Sequence, residues 1–185
     1  WLLILRGVSI EFRTHIDSPV WKPFWDAGFM ASSALLAIFF GAALGNVVRG
    51  VSLDAAGRFF LPLRTDFGVS GELGILDWYT VLVGVLALVA LAHHGARWLA
   101  VKTEDDVQRR AGRVASAAWF GVVVMTVVVT IFTMQVQPQV RANLANHPWG
   151  YVFPGLAVAG LVASLGRRHV LAFLVSGAYI VGMLT

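Results

Sequence analysis

Charged residues in this chain are gathered into short stretches, and the runs between them are long, apolar and uncharged. A membrane-spanning helix needs about 20 mostly apolar residues to cross about 30 Å of hydrocarbon, and four runs approach or exceed that length. Ala27 to Val48 holds 22 residues between Asp26 and Arg49, and Trp78 to Ala96 holds 19 between Asp77 and Arg97. The third, Val114 to Val140, holds 27 residues and includes Val122-Val123-Val124. That β-branched stretch is expected to be helical, because a lone strand would leave its backbone unpaired in lipid. The fourth is interrupted: Ala142 to Pro148 is polar and turn-like, then Trp149 to Gly166 gives 18 residues. Its Pro154 stands near the start, where a helix tolerates proline best. Trp1 to Leu5 and Val170 to Thr185 read as pieces of further helices. The pattern predicts an all-α fold, a polytopic transmembrane helix bundle with four clear spans and partial helices at both ends. Residues 1–185 are expected to form a single membrane-embedded domain, cut at both ends from a longer subunit.

Composition agrees with this pattern. Of the 185 residues 58% are hydrophobic and 13% charged, against about 45–50% and about 25% in soluble domains, which is too little charge to clothe a water-facing surface. The absence of cysteine excludes disulfides, thiolate metal sites, iron–sulfur ligation and cysteine nucleophiles. The net charge of +4 comes from cations scattered over several connections, without the dense basic stripe of a nucleic-acid binder, so no nucleic-acid partner is expected.

Those cations do carry topology. One set of alternate connections holds ten of the fourteen Lys and Arg residues, among them Arg97, Lys102, Arg109, Arg110 and Arg113, and cytoplasmic loops carry the excess. Residues 97–113 are therefore expected to be a cytoplasmic connection and residues 48–77 an extracytoplasmic one. In the latter, Leu53, Phe59, Phe60, Leu61 and Leu63 form an amphipathic stretch suited to lie on the membrane surface. Gly41 with Gly45, and Gly155 with Gly160, point to close helix approach, although small residues are also simply frequent in membrane helices.

Candidate chemistry is sparse. His93 and His94 are the first suspects, since imidazole binds haem iron and metals. Adjacent helical positions point about 100° apart, so the pair cannot clamp one metal, and an interfacial hydrogen-bonding role is the simpler expectation. No side chains pair as nucleophile and base, and no glycine-rich phosphate loop is present. Catalytic, cofactor-binding and metal residues are accordingly expected to be none. Glu11 and Asp26 lie at the inner boundary: Asp26 precedes an apolar run, where an acid favours a helix N-terminus, and Glu11 is placed to pair with Arg6 or Arg13. Such boundary groups also mark proton routes. Acids at 105 and 106 precede Arg109 and Arg110 by four, a supportive helix-surface spacing in a solvated connector.

The front of the chain carries a more specific pattern: Arg6-Gly7-Val8-Ser9-Ile10-Glu11-Phe12-Arg13, then Trp25-Asp26, then Gly41, Gly45-Asn46 and Gly50-Val51. It resembles subunit II of the bd-type quinol oxidases. That family shows an arginine–glycine, an acidic–aromatic–arginine, a tryptophan–aspartate and a later glycine–asparagine in this order. Trp78 to Gly84, and Gly95-Ala96-Arg97-Trp98-Leu99 followed by Lys102-Thr103, resemble the family's next helix and its cytoplasmic exit. The resemblance covers residues 1 to about 115 by motif and the remainder by hydropathy.

What the resemblance implies is a multi-pass subunit of a bacterial inner-membrane terminal oxidase. Such an enzyme oxidises quinol, reduces oxygen to water and builds a proton gradient without pumping. Its haems b and d belong to the partner, subunit I, and this chain is expected to bind none. A structural quinone is the one cofactor the resemblance leaves open, and membrane lipid and quinone join subunit I as implied partners. Arg6, Glu11, Arg13, Trp25 and Asp26 match the boundary pattern and are the candidates for assembly or proton uptake. The competing class is half of a secondary transporter or channel, which would need broken helices and polar groups at mid-depth. Within the first two runs only Ser32, Ser33 and Thr80 are of that kind.

Overall fold

The structure is a computed structural model that describes residues 1–184 apart from Ser52, Asp54, Ala55, Phe60, Leu61, Arg64, Gly71, Glu72 and Arg167. Among the described residues it contains helices, turns and loops but no strand. The α-helices are α1 (Leu2–Arg13), α2 (Trp21–Arg49), α3 (Trp78–Lys102), α4 (Asp105–Val136), α5 (Gln139–Asn146), α6 (Val152–Ala163) and α7 (His169–Leu184), with a 3-10 turn at Pro148–Tyr151. Phe60 and Leu61 of the amphipathic stretch, and Arg64 and Arg167 of the boundary cations, lie outside the described residues.

Among the described residues three helices, α2, α3 and α4, are long and apolar enough to cross a membrane, and the chain is a multi-pass membrane protein. The fourth run is shorter than its hydropathy suggests. Pro148 opens a 3-10 turn instead of an α-helix, and α6 stops at Ser164, whose hydroxyl caps back onto the Leu161 carbonyl at 2.7 Å. The long helices overrun their apolar runs. α3 continues to Lys102 and α4 starts at Asp105, so the charged stretch 97–113 is mostly helix with Thr103 and Glu104 between the two. Asp105 and Asp106 occupy the first turn of α4, where acids oppose the positive end of the helix dipole, and Asp106 pairs with Arg109. Gln108 Nε2 donates to the Ala100 carbonyl at 3.0 Å, tying the two helix ends.

The chain divides into two compact units, residues 1–47 with 52–88, and residues 48–51 with 89–185. In the first, Ser9 of α1 is buried against Gly28 of α2, where an added Cβ would lie 3.2 Å from the Ser9 Oγ. α2 meets the start of α3 through glycine. A Cβ at Gly41 would stand 2.6 Å from the Ala87 Cβ and 2.7 Å from the Gly84 Cα, and one at Gly45 would stand 3.1 Å from the Thr80 Cα. Small residues of this kind let backbones approach and gain dispersion contacts, which lipid does not supply by hydrophobic exclusion. The last part of the 48–77 connection folds back on itself, the Ile75 and Leu76 amides donating to the Pro62 and Leu63 carbonyls.

In the second unit, Ala90, Val122, Ala157, Leu161 and Tyr179 form the buried core. α6 and α7 pack antiparallel with backbone against backbone: Gly160 faces the Val175 carbonyl and Tyr179 amide, and Gly182 faces Ala157 and Phe153. The Gly155–Gly160 spacing is therefore only half used, since a Cβ at Gly155 meets nothing within 4 Å. A second close approach of the two helices is made by Gly182 of α7, against Phe153 and Ala157.

Candidate functional site

The first unit brings four of the five boundary residues together along α1 and α2. Arg13 Nε donates to Asp26 Oδ1 at 2.6 Å and its Nη2 reaches Oδ2 at 3.4 Å. The side chains are 49% and 54% exposed, so the pair is anchored at the surface, not sealed in it. The hydrogen bond to Asp26, then its charge, push the Arg13 guanidinium above its ordinary range. Arg6 sits over the Phe29 ring at 5.1 Å, and Phe12 packs on Trp25 at 5.3 Å. The Trp21 indole donates to the Phe12 carbonyl at 2.6 Å, while the buried Trp25 Nε1 has no partner among the described residues.

Two expectations change. Glu11 is exposed and pairs with neither Arg6 nor Arg13, because Arg13, at the last turn of α1, is turned onto α2 and takes Asp26. Asp26 is not at the helix start either. α2 begins at Trp21, so the carboxylate lies beyond the first turn and is spent on Arg13.

A second constellation lies in the other unit. His93 is 1% exposed, its Nδ1 lying 2.9 Å from the Ala115 carbonyl of α4 and its Nε2 3.2 Å from the Ser164 hydroxyl that closes α6. A carbonyl only accepts, so Nδ1 carries a hydrogen, and the Ser164 hydroxyl, for whose single proton the Leu161 carbonyl at 2.7 Å competes, lies against the second nitrogen. His94 diverges as its position requires: Nδ1 meets the Ser176 hydroxyl of α7 at 2.8 Å and the ring stacks on Phe173 at 4.6 Å. These imidazoles lock α3 to three other helices. Both His93 nitrogens face partners within the chain, while His94 keeps Nδ1 on Ser176 and its ring face on Phe173. Among the described residues no group of three His, Asp or Glu side chains is arranged to hold a metal. Arg97, one turn beyond His93, is 7% exposed and its Nε meets no partner among the described residues.

The polar groups that sequence reasoning passed over are the partners. Asp77 is fully buried and caps α3, its Oδ1 accepting from the Tyr79 and Thr80 amides at 2.8 and 3.0 Å while the Thr80 hydroxyl accepts from the Asp77 amide. The signal was present as an acid and a threonine three residues apart before an apolar run, a variant of the reciprocal capping pattern. This puts Thr80 in a cap instead of a transport path. Asn46 Nδ2 spans from the Ala42 carbonyl to the Ile75 carbonyl. Thr126 and the Tyr179 hydroxyl share a 2.6 Å bond between α4 and α7, which no local pattern announces.

Comparison with known proteins supports the same reading as the boundary motifs. The family model described as cytochrome bd terminal oxidase subunit II matches residues 1–185. A "Probable cytochrome oxidase subunit 2" of Haemophilus influenzae is 35% identical over 114 residues, which is 61% of this chain and 29% of that protein. The cytochrome bd ubiquinol oxidase subunit 2 of Bacillus subtilis is 28% identical over 114 residues, 61% of this chain and 31% of the relative. The cytochrome bd-I ubiquinol oxidase subunit 2 of Escherichia coli is 25% identical over 116 residues, 63% and 29% respectively. The matched stretch thus spans less than a third of each relative's length. With the model match running the full length of the sequence, the chain belongs to the cytochrome bd terminal oxidase subunit II family.

Proposed function

We propose that this chain is part of the non-haem membrane subunit of a bd-type terminal oxidase in the bacterial inner membrane. It supports and stabilises a haem-bearing subunit I, which oxidises quinol and reduces oxygen to water, generating a proton gradient. The observation that carries the reading is the commitment of His93: both ring nitrogens are used to join α3, α4 and α6, which makes the most buried imidazole a fastener instead of a haem ligand. The Arg13–Asp26 pair and the Phe12–Trp25 contact bind α1 to α2 at the membrane boundary, which favours an assembly role for the boundary residues over proton uptake. Residues 97–113 face the cytoplasm and residues 48–77 the opposite side, following the excess of Lys and Arg. Haems b and d reside in the partner.

The test is purification of the intact subunit with and without its genomic neighbour. Co-purification with a haem protein, and no Soret band from the subunit alone, is the expected result; a Soret band from the subunit alone overturns the assignment. Replacing Arg6 or Asp26 with leucine is expected to lower complex yield and haem retention more than turnover per haem. Normal assembly with abolished turnover would instead place them in a proton path.

A further inference from the structure

The start of α4 carries a groove that neither the boundary pair nor the histidines use. Its volume is about 570 Å³ and it is lined by Arg109, Gly112, Arg113 and Ser116. Positions spaced by three and four share one helix face, so the two arginines stand one turn apart with glycine between them and serine beyond. Ser116 Oγ turns back onto the Gly112 carbonyl at 3.0 Å, which keeps its hydroxyl out of the groove mouth. Arg109 is neutralised by Asp106, but Arg113 forms no ion pair among the described residues and leaves the groove positive.

Gly112, like Gly95 and Gly155 on their own helices, leaves open space beside its backbone, and here that space lies between two arginines. Glycine inside a helix is destabilising relative to alanine, and at Gly41, Gly84, Gly160 and Gly182 that cost is matched by a neighbouring backbone which no Cβ could tolerate. At Gly112 a Cβ would meet nothing within 4 Å. No neighbour in this chain needs the space. Further along the helix the side chains turn apolar at the point where α4 enters its uncharged run, and Phe120, Val124 and Val127 are each more than half exposed. A positive notch above an exposed hydrocarbon stripe matches an amphiphile with an anionic head.

We propose that this face of α4 seats an anionic phospholipid, its phosphate between Arg109 and Arg113 over Gly112 and its acyl chains along Phe120, Val124 and Val127. A zwitterionic lipid brings its own cation to a groove that already holds an unpaired one, so the anionic class is preferred. The inference needs only that α4 crosses the membrane, and it stands apart from the identity of the oxidase partner.

The test uses the membrane-extracted protein with whatever subunits accompany it, in nanodiscs of equimolar phosphatidylglycerol and phosphatidylcholine, with retained lipid read by native mass spectrometry. Wild type is expected to retain phosphatidylglycerol preferentially. Arg113→Gln lowers that preference about fivefold, the scale of one arginine near an anionic surface. Gly112→Leu, which keeps both charges and whose Cβ meets nothing within 4 Å, lowers it as well, whereas Arg113→Lys restores most of it and Arg141→Gln on α5 leaves it unchanged. Equal preference in wild type, Arg113→Gln and Gly112→Leu overturns the proposal. Displacement of the lipid by inorganic phosphate alone reassigns the groove to a free anion. A photo-cross-linker at position 116 that captures a protein subunit instead of lipid makes the face a protein interface; either result refutes the lipid seat.

Discussion

Alanine at Gly84 is the sharpest probe of the α2–α3 contact. A Cβ there would lie 2.5 Å from the Ile38 carbonyl oxygen, 3.0 Å from the Ile38 Cγ2 and 3.2 Å from the Ile38 carbonyl carbon. Carbon–oxygen contacts between packed helices settle near about 3.3–3.6 Å, so the helices must part locally by about 1 Å. The struck atom belongs to the backbone of α2 and cannot rotate away. A gap of 0.5–1 Å forfeits about a quarter to a half of each dispersion well, and the same opening stretches the 2.8 Å bond from Asn46 Nδ2 to the Ile75 carbonyl. Overpacking costs about 1–3 kcal/mol, and glycine-to-alanine in a helix returns about 0.8–1.0 kcal/mol. With the upper part of the first range, the net loss is about 2 kcal/mol.

Gly95, farther along the same helix, supplies the internal control. A Cβ at that position meets nothing within 4 Å, so Gly95→Ala should keep the propensity gain and stabilise by up to about 1 kcal/mol. Thermal unfolding of the detergent-solubilised protein, followed by tryptophan fluorescence and by recovery from size-exclusion chromatography, should order the three proteins as Gly95→Ala, wild type, Gly84→Ala. Gly41→Ala should destabilise similarly, and the double variant by less than the sum, because Gly41 and Gly84 face each other. A Gly84→Ala protein as stable as Gly95→Ala would refute the close-approach argument.

Other outcomes can be checked on the same preparation. His93→Leu should cost about 0.5–1.5 kcal/mol, because it removes a buried hydrogen bond to the Ala115 carbonyl, which keeps its helical partner within α4, while the haem spectrum per assembled complex stays unchanged; a lost haem signal in a normally folded complex would make His93 a ligand after all. Asp77→Ala removes the cap that accepts from the Tyr79 and Thr80 amides and should cost about 0.5–2 kcal/mol in thermal or denaturant unfolding, with Asp77→Asn retaining most of the stability. Tyr179→Phe and Thr126→Val should each destabilise, and a double-mutant cycle should return a coupling of about 0.5–1.5 kcal/mol, the worth of one hydrogen bond. Zero coupling would mean the two hydroxyls do not meet.

Much of the molecule was legible in residue order. The runs starting at Ala27, Trp78 and Val114 became α2, α3 and α4 because burial in hydrocarbon depends on local apolar content, and a helix is the form in which a spanning segment satisfies its own backbone. Gly41 and Gly45 were visible as a small-residue pair, since their spacing lies within one helix and needs no partner to be noticed. Helix ends were less legible. Charge marks where lipid gives way to water, but the backbone keeps its hydrogen-bonded ladder past that point, as α3 does to Lys102 and α4 does from Asp105.

Which residues meet was decided only in three dimensions. Arg13 had Glu11 close by in sequence and took Asp26, because the choice depends on how α1 is turned against α2. His93 and His94 are neighbours in sequence yet serve different helices, and Gly160 packs on the Val175–Tyr179 backbone of α7 while Gly155 meets nothing. The physical reason is that α2 and α3 spread their apolar residues around the helix without one dominant face. An amphipathic helix announces its buried face through its pattern, but one solvated by lipid on one side and protein on the other is apolar toward both. Its rotation and its contacts are then fixed by packing against its neighbours.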